Sequence, residues 1–168
     1  MTVESKPLRL TLNRVTEEEL GELLGLDDKA IQEFIDDRQT GADCFLTDSL
    51  VLENYASELH FLITGKTWEE EAESSFDQVL KGGRCLGSQQ NHLFLNPDEV
   101  EAVAYLLSTL KEDDWQKRFK DLSTSASMLF DGWDEELCQI LIEYLIDVTE
   151  FYVKVAVTND ALLKNIES

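Results

Sequence analysis

The chain has 168 residues, 43% of them hydrophobic and 29% charged, with 8 glycines and 2 prolines. That length fits one domain, and that composition supports a packed core rather than a disordered segment. Thirty-five acidic side chains against 14 basic ones give a formal charge of -21, a balance that repels phosphate backbones and disfavours nucleic acid as a partner.

Leu8, Leu10 and Leu12 alternate with Arg9, Thr11 and Asn13, the period of a strand with one buried face. Thr16 and Glu19 have the spacing of a capping box, and Glu17 to Glu19 set negative charge at a helix N-terminus, so a short helix is predicted over Glu17 to Leu24. Gly25 closes it, and Asp27 caps a second helix carrying Ile31, Phe34 and Ile35. Thr47 or Asp48 is the expected cap of a third, in which Leu52, Tyr55, Leu59 and Leu62 share a face that ends at Gly65. Trp68 to Leu80 reads as a helix with an acidic start, after which Gly82 and Gly83 open an irregular loop to Gly87.

His92 to Leu95 is a short apolar strand, and Asn96-Pro97 caps and starts a helix through Leu110. Lys117, Arg118 and Lys120 form a local positive patch beside Trp115 and Phe119, and the serine-rich run 123–127 reads as loop. From Asp134 onward an apolar stripe, Leu137 to Val155, recurs at helical spacing and predicts the core helix. After the turn signal Asn159-Asp160, the segment Ala161 to Ile166 fits either a fraying helix end or a final strand.

No apolar run reaches the 18 residues that span a bilayer, so no membrane is expected as a partner. The N-terminal residues lack the charged and apolar regions of an export signal. Cys44, Cys85 and Cys138 are odd in number and lack a CxxC pair, which predicts reduced, mostly packed thiols and a cytoplasmic protein.

Candidate chemistry is sparse. Gly65-Lys66-Thr67 has the tail of a phosphate-binding loop, but His60 stands where the leading glycine belongs. Gly83-Arg84-Cys85-Leu86-Gly87 matches a nucleophile elbow with cysteine at its apex, without the strand before it and the helix after it that such a turn needs. His60 and His92, the two imidazoles, have no second ligand at metal spacing, so neither a metal nor a cofactor is expected. Two acidic runs, Glu69-Glu70-Glu71 and Asp134-Glu135-Glu136, sit at predicted helix starts, where the dipole explains them. The field of -21 charges itself attracts basic partners.

Glu58-Leu-His-Phe-Leu-Ile-Thr-Gly65, the glycine-rich loop at 82–87, Phe94-Leu-Asn-Pro-Asp-Glu-Val100 and Phe151-Tyr-Val occur in an order that resembles the bacterial YfbM-like proteins, a family of unknown function. The resemblance runs from Asp48 to Ile166. It implies a single α+β domain over 1–168 with a small, about three-stranded sheet packed on several helices, and it supplies no reaction or catalytic residue. His60 and Gly65 match its most specific motif.

The leading expectation is therefore a non-enzymatic protein-binding module that meets a basic partner through the acidic runs, in its sharpest form an immunity-type inhibitor of a basic toxin. The alternative is a small-ligand-binding or enzymatic domain in which His60, Gly65, Cys85 and His92 converge. A third, an oligomerisation module, would use the Trp115 and Phe119 face.

Overall fold

The computed structural model describes residues 9–40, 49–70, 76–86 and 92–167. Leu8, Cys44, Thr47, Asp48, Glu71 and Gly87 lie outside them. In chain order the elements are β1 (Arg9–Val15), α1 (Glu17–Leu23), α2 (Asp28–Thr40), β2 (Ser49–Leu52), α3 (Ala56–Thr64), a 3-10 turn (Phe76–Gln78) and β3 (Arg84–Cys85). Then come β4 (His92–Leu95), α4 (Pro97–Ser108), α5 (Glu112–Asp121), α6 (Ser123–Leu129), α7 (Glu135–Val157) and β5 (Ala161–Glu167).

Among the described residues the sheet has five strands, not about three, in the order β2-β1-β5-β4-β3, and every neighbouring pair is antiparallel. The two strands beyond expectation were masked by competing signals. Ser49 to Leu52 satisfies a helical period with Tyr55 and Leu59, yet its backbone pairs with β1, Leu52 opposite Leu10 and Leu50 opposite Leu12. Helix α3 starts only at Ala56, after Tyr55 in the left-handed region at φ 66°. Arg84 and Cys85, expected in a loop, pair with Phe94 and Leu93 as an edge strand. Gly83 makes that approach possible: its φ is 134°, and a Cβ there would lie 2.8 Å from the Phe94 carbonyl oxygen.

Segment 161–166 resolves as strand β5, which lies between β1 and β4. An interior strand covered on both faces is buried along its whole length, and Ala161 through Asn165 are. β1 is likewise covered on both faces, so Thr11 and Asn13, expected to face outward, are buried.

Alternation along the strands divides the core in two. Leu10, Leu12, Leu52, Leu95 and Leu162 face the larger cluster, built with α3, α4, α5 and α7. Val15, Phe94, Ala161 and Leu163 face a smaller one with Leu20, Leu23, Ile31 and Ile35 of the α1–α2 hairpin.

The capping boxes at Thr16 and Asn96 and the long α7 helix agree with the sequence patterns. Two segments do not. Residues 123–127 belong to α6, which continues from α5 through Leu122 in helical conformation, buries Ala126 and lets Ser127 donate back to the Ser123 carbonyl. In the expected helix from Trp68 the described residues form a turn at 68–70 and, further on, the 3-10 turn, with side chains of Lys81, Tyr152 and Lys164 donating to carbonyls at 68, 70, 78 and 79.

Candidate functional site

Helix α3 is buried all round from Leu59 to Ile63, and His60 lies within that stretch at 2% exposure. Its ring stands edge-on to Trp68 at 5.2 Å, and its Nδ1 has no hydrogen-bond partner among the described residues. Burial first, and the Lys81 cation next, hold the imidazole at a pKa of about 4, so it is neutral at pH 7. Gly65 ends the helix in the left-handed conformation at φ 73°, its amide donating to the Phe61 carbonyl. The following Lys66 donates to buried Asp77 at 2.9 Å, an ion pair rather than a phosphate grip.

The irregular stretch 76–86 is held by long side chains from the far end of the chain. Lys164, fully buried on β5, donates to the carbonyls of Gln78 and Gly82, and the Tyr152 hydroxyl of α7 donates to Val79. Burial drives the Lys164 amine well below its ordinary pKa. Lys81 reaches back to the carbonyls of Trp68 and Glu70. These groups make an internal clamp: each donor meets a carbonyl that a helix or strand would otherwise have satisfied.

The four candidate residues do not converge. His92 lies opposite Asn165 and on the same face of the sheet as Phe94 and Leu163, against α2, where its Nε2 is 3.1 Å from Gln32 Oε1. His60 neighbours Lys164, on the opposite face. Burial lowers the His92 pKa too, and among the described residues its Nδ1 and the Asn165 Oδ1 are both buried without partners. Cys85 is exposed on edge strand β3, which corrects the expectation of a packed thiol, whereas Cys138 is buried. Cys85 sits within a paired strand and not at the apex of an elbow.

The acidic runs also separate. Glu69 and Glu70 are both exposed, and Glu70 accepts from the Thr67 amide at 2.6 Å, which fixes a turn. Asp134 is the N-cap of α7, accepting from the Leu137 amide at 3.0 Å, and Glu135 and Glu136 follow on its exposed first turn. Here an open pocket of about 380 Å³ forms between α5 and the start of α7, lined by Phe119, Trp133, Cys138, Glu135, Gln139 and Lys120 among others. Phe119 and Trp133 stack in parallel, 4.3 Å apart with 4° between planes. The Trp133 indole N–H donates to the Phe119 carbonyl, which fixes the pair.

Over residues 8–164 the sequence matches the family described as a domain of unknown function (DUF1877). The chain belongs to that family. The crystal structure of YfbM from Escherichia coli, itself described as a protein of unknown function, has the same fold. Its TM-score is 0.65 at 18% identity, over 95% of this chain and 99% of that one. No curated protein matches in sequence.

Within this DUF1877 domain, sequence patterns missed Lys164, Tyr152 and Asp77, whose buried roles depend on contacts between distant segments. A lysine inside Ala161-Leu-Leu-Lys-Asn-Ile166 was the one visible signal. Also missed was the outward face of α7, where Glu136, Glu143, Asp147 and Glu150 share a stripe with exposed Ile146, Val153 and Val157, the last 79% exposed. Among the described residues no group of His, Cys, Asp or Glu is placed to hold a metal ion, and no helix is long and apolar enough to cross a membrane.

Proposed function

We propose that this domain is a non-enzymatic protein-binding module whose α7 face engages a basic protein, in its most specific form the neutralisation of a basic toxin. The carrying observation is the composition of that face. Solvated helix faces are commonly charged, but this one sets aliphatic side chains, Ile146, Val153 and Val157, among four carboxylates and a single cation, Lys154. Apolar contacts supply the desolvated centre of an interface, while charges set encounter rate and orientation. The overall charge of -21 makes a cationic partner the favoured one.

The test is capture of a basic partner from the native lysate at low and raised salt, comparing two triple charge reversals. Reversal of Glu143, Asp147 and Glu150 to lysine is expected to weaken capture about tenfold or more. The same reversal at Glu17, Glu18 and Glu22, exposed on α1 across the sheet, changes net charge equally and is expected to affect mainly the association rate. Equal losses from both, or capture indifferent to salt, would sink this reading.

A further inference from the structure

We propose that the pocket at the head of α7 receives an arginine side chain of the basic partner; this rests on the reading above and gives it an anchoring point. The pocket and the acidic stripe are continuous, since Gln139 lines the pocket and stands one helical turn before Glu143. From Gln139 to Val157 the stripe runs about 27 Å at the α-helical rise. A partner lying along it reaches the pocket with one end.

The pocket chemistry matches a guanidinium in three respects. Its volume of about 380 Å³ is at the lower end of the roughly 300–1,000 Å³ range of ligand pockets and suits one long side chain. Its aromatic wall is rigid. Trp133 is stacked on Phe119, contacts Phe130 at 5.8 Å and meets Phe61 edge-on, so the ring is positioned before any ligand arrives. A planar cation packs against the part of this wall that lines the pocket.

The third match is the set of acceptors. Glu135 brings a carboxylate, Asp134 the Oδ2 left over from its cap on the Leu137 amide, and Gln116 and Gln139 bring amide oxygens, for the donors of the guanidinium fork. Against them stands Lys120, which leaves the lining net negative. Lys120 is exposed, so its flexible stem can carry the ammonium into solvent when the site fills. Buried aromatic pockets that take one arginine are a usual form of interface hot spot.

The experiment titrates the intact protein with the tripeptide Gly-Arg-Gly, amidated at its C-terminus, and follows the indole N–H resonances of Trp68, Trp115 and Trp133. Gly-Lys-Gly and Gly-citrulline-Gly are the charge-matched and shape-matched controls. The arginine peptide is expected to shift the Trp133 signal selectively, lysine more weakly and citrulline not at all. Glu135→Gln is expected to weaken arginine binding about threefold to tenfold, and Lys120→Gln to tighten it.

Both substitutions are on exposed positions, so folding is retained. Equal response to arginine and lysine, or a silent Trp133, overturns the pocket assignment. If arginine binds the pocket but α7 charge reversal leaves partner capture intact, the interface reading fails while the pocket stands. If α7 reversal abolishes capture and Glu135→Gln does not change it, the pocket assignment fails while the interface reading stands.

Discussion

Adjacent residues of β5 illustrate two ways of burying polarity in one sheet. Lys164 points toward α7 and α4, where it donates to two carbonyls of the irregular stretch and thereby closes the larger core. Asn165, its neighbour, points toward α2, and its Oδ1 has no partner among the described residues although Asn165 is 1% exposed. The first face spends its polar group on tying a distant loop to the sheet. The second keeps a row of neutral polar groups, Thr11, Asn165 and His92, aligned across three strands. Burial alone therefore does not rank these residues; what each donor or acceptor meets does.

The largest effect expected from this contrast is at Lys164. Lys164→Ala takes the side-chain donor from the Gly82 carbonyl, leaves Gln78 only the 3.4 Å contact from the Tyr152 hydroxyl and opens a cavity, a loss of about 3–5 kcal/mol. Asn165→Val removes Oδ1 together with the long 3.4 Å bond that Nδ2 donates to Glu167, and is expected to change stability by less than about 1 kcal/mol. Urea midpoints at constant m-value measure both. A Lys164→Ala protein as stable as Asn165→Val would break the contrast between the faces.

The two histidines sharpen it through pH. The folded-state pKa of His60 is about 4, below the ordinary 6.5, so on acidification the unfolded chain takes up the proton first. Stability from this group is full above pH 6.5, falls between 6.5 and about 4, and is level below, a total of about 3 kcal/mol. His60→Gln is expected to flatten that limb, measured as the difference from wild type so that the many carboxylates cancel. His92 shifts in the same direction, but its contact with Gln32 lies on the other face, so the two histidine effects should add within about 0.5 kcal/mol.

The smallest perturbation is chemical labelling. Cys85 on the exposed edge strand is expected to alkylate at the rate of an open thiol, and Cys138, whose pKa burial raises, far more slowly. Peptide-resolved mass spectrometry separates them. Comparable rates would mean that the α5–α7 contact opens readily, and would place the pocket on a mobile part of the larger core.

Local patterns predicted what local physics decides. The boxes at Thr16 and Asn96 and the stripe along α7 involve residues within a turn or two of each other, and they were legible. Ser49 to Leu52 and Arg84 to Cys85 became strands through hydrogen bonds to β1 and β4, partners that no window of neighbouring residues contains. The acidic run at 134–136 was found, but the pocket beside it depends on Phe119 and Trp133 meeting across two helices. The histidines were visible as rare residues, while their separation by the sheet follows from which way alternate strand positions point.

The register pairs Arg9 with Glu167 and Val15 with Ala161, so the strand at the heart of the sheet is contributed by residues more than a hundred positions away from the strand it joins. Helical segments and the β1–β2 pairing can form while synthesis proceeds, but β1 and β4 both wait for β5 before either gains its second neighbour. Assembly of the sheet is thus deferred until residue 167 has emerged, and until then β1 and β4 expose backbone edges to any other chain that is itself extended. The rate at which β5 docks, more than the speed of any helix, sets how long this domain is vulnerable to misassembly.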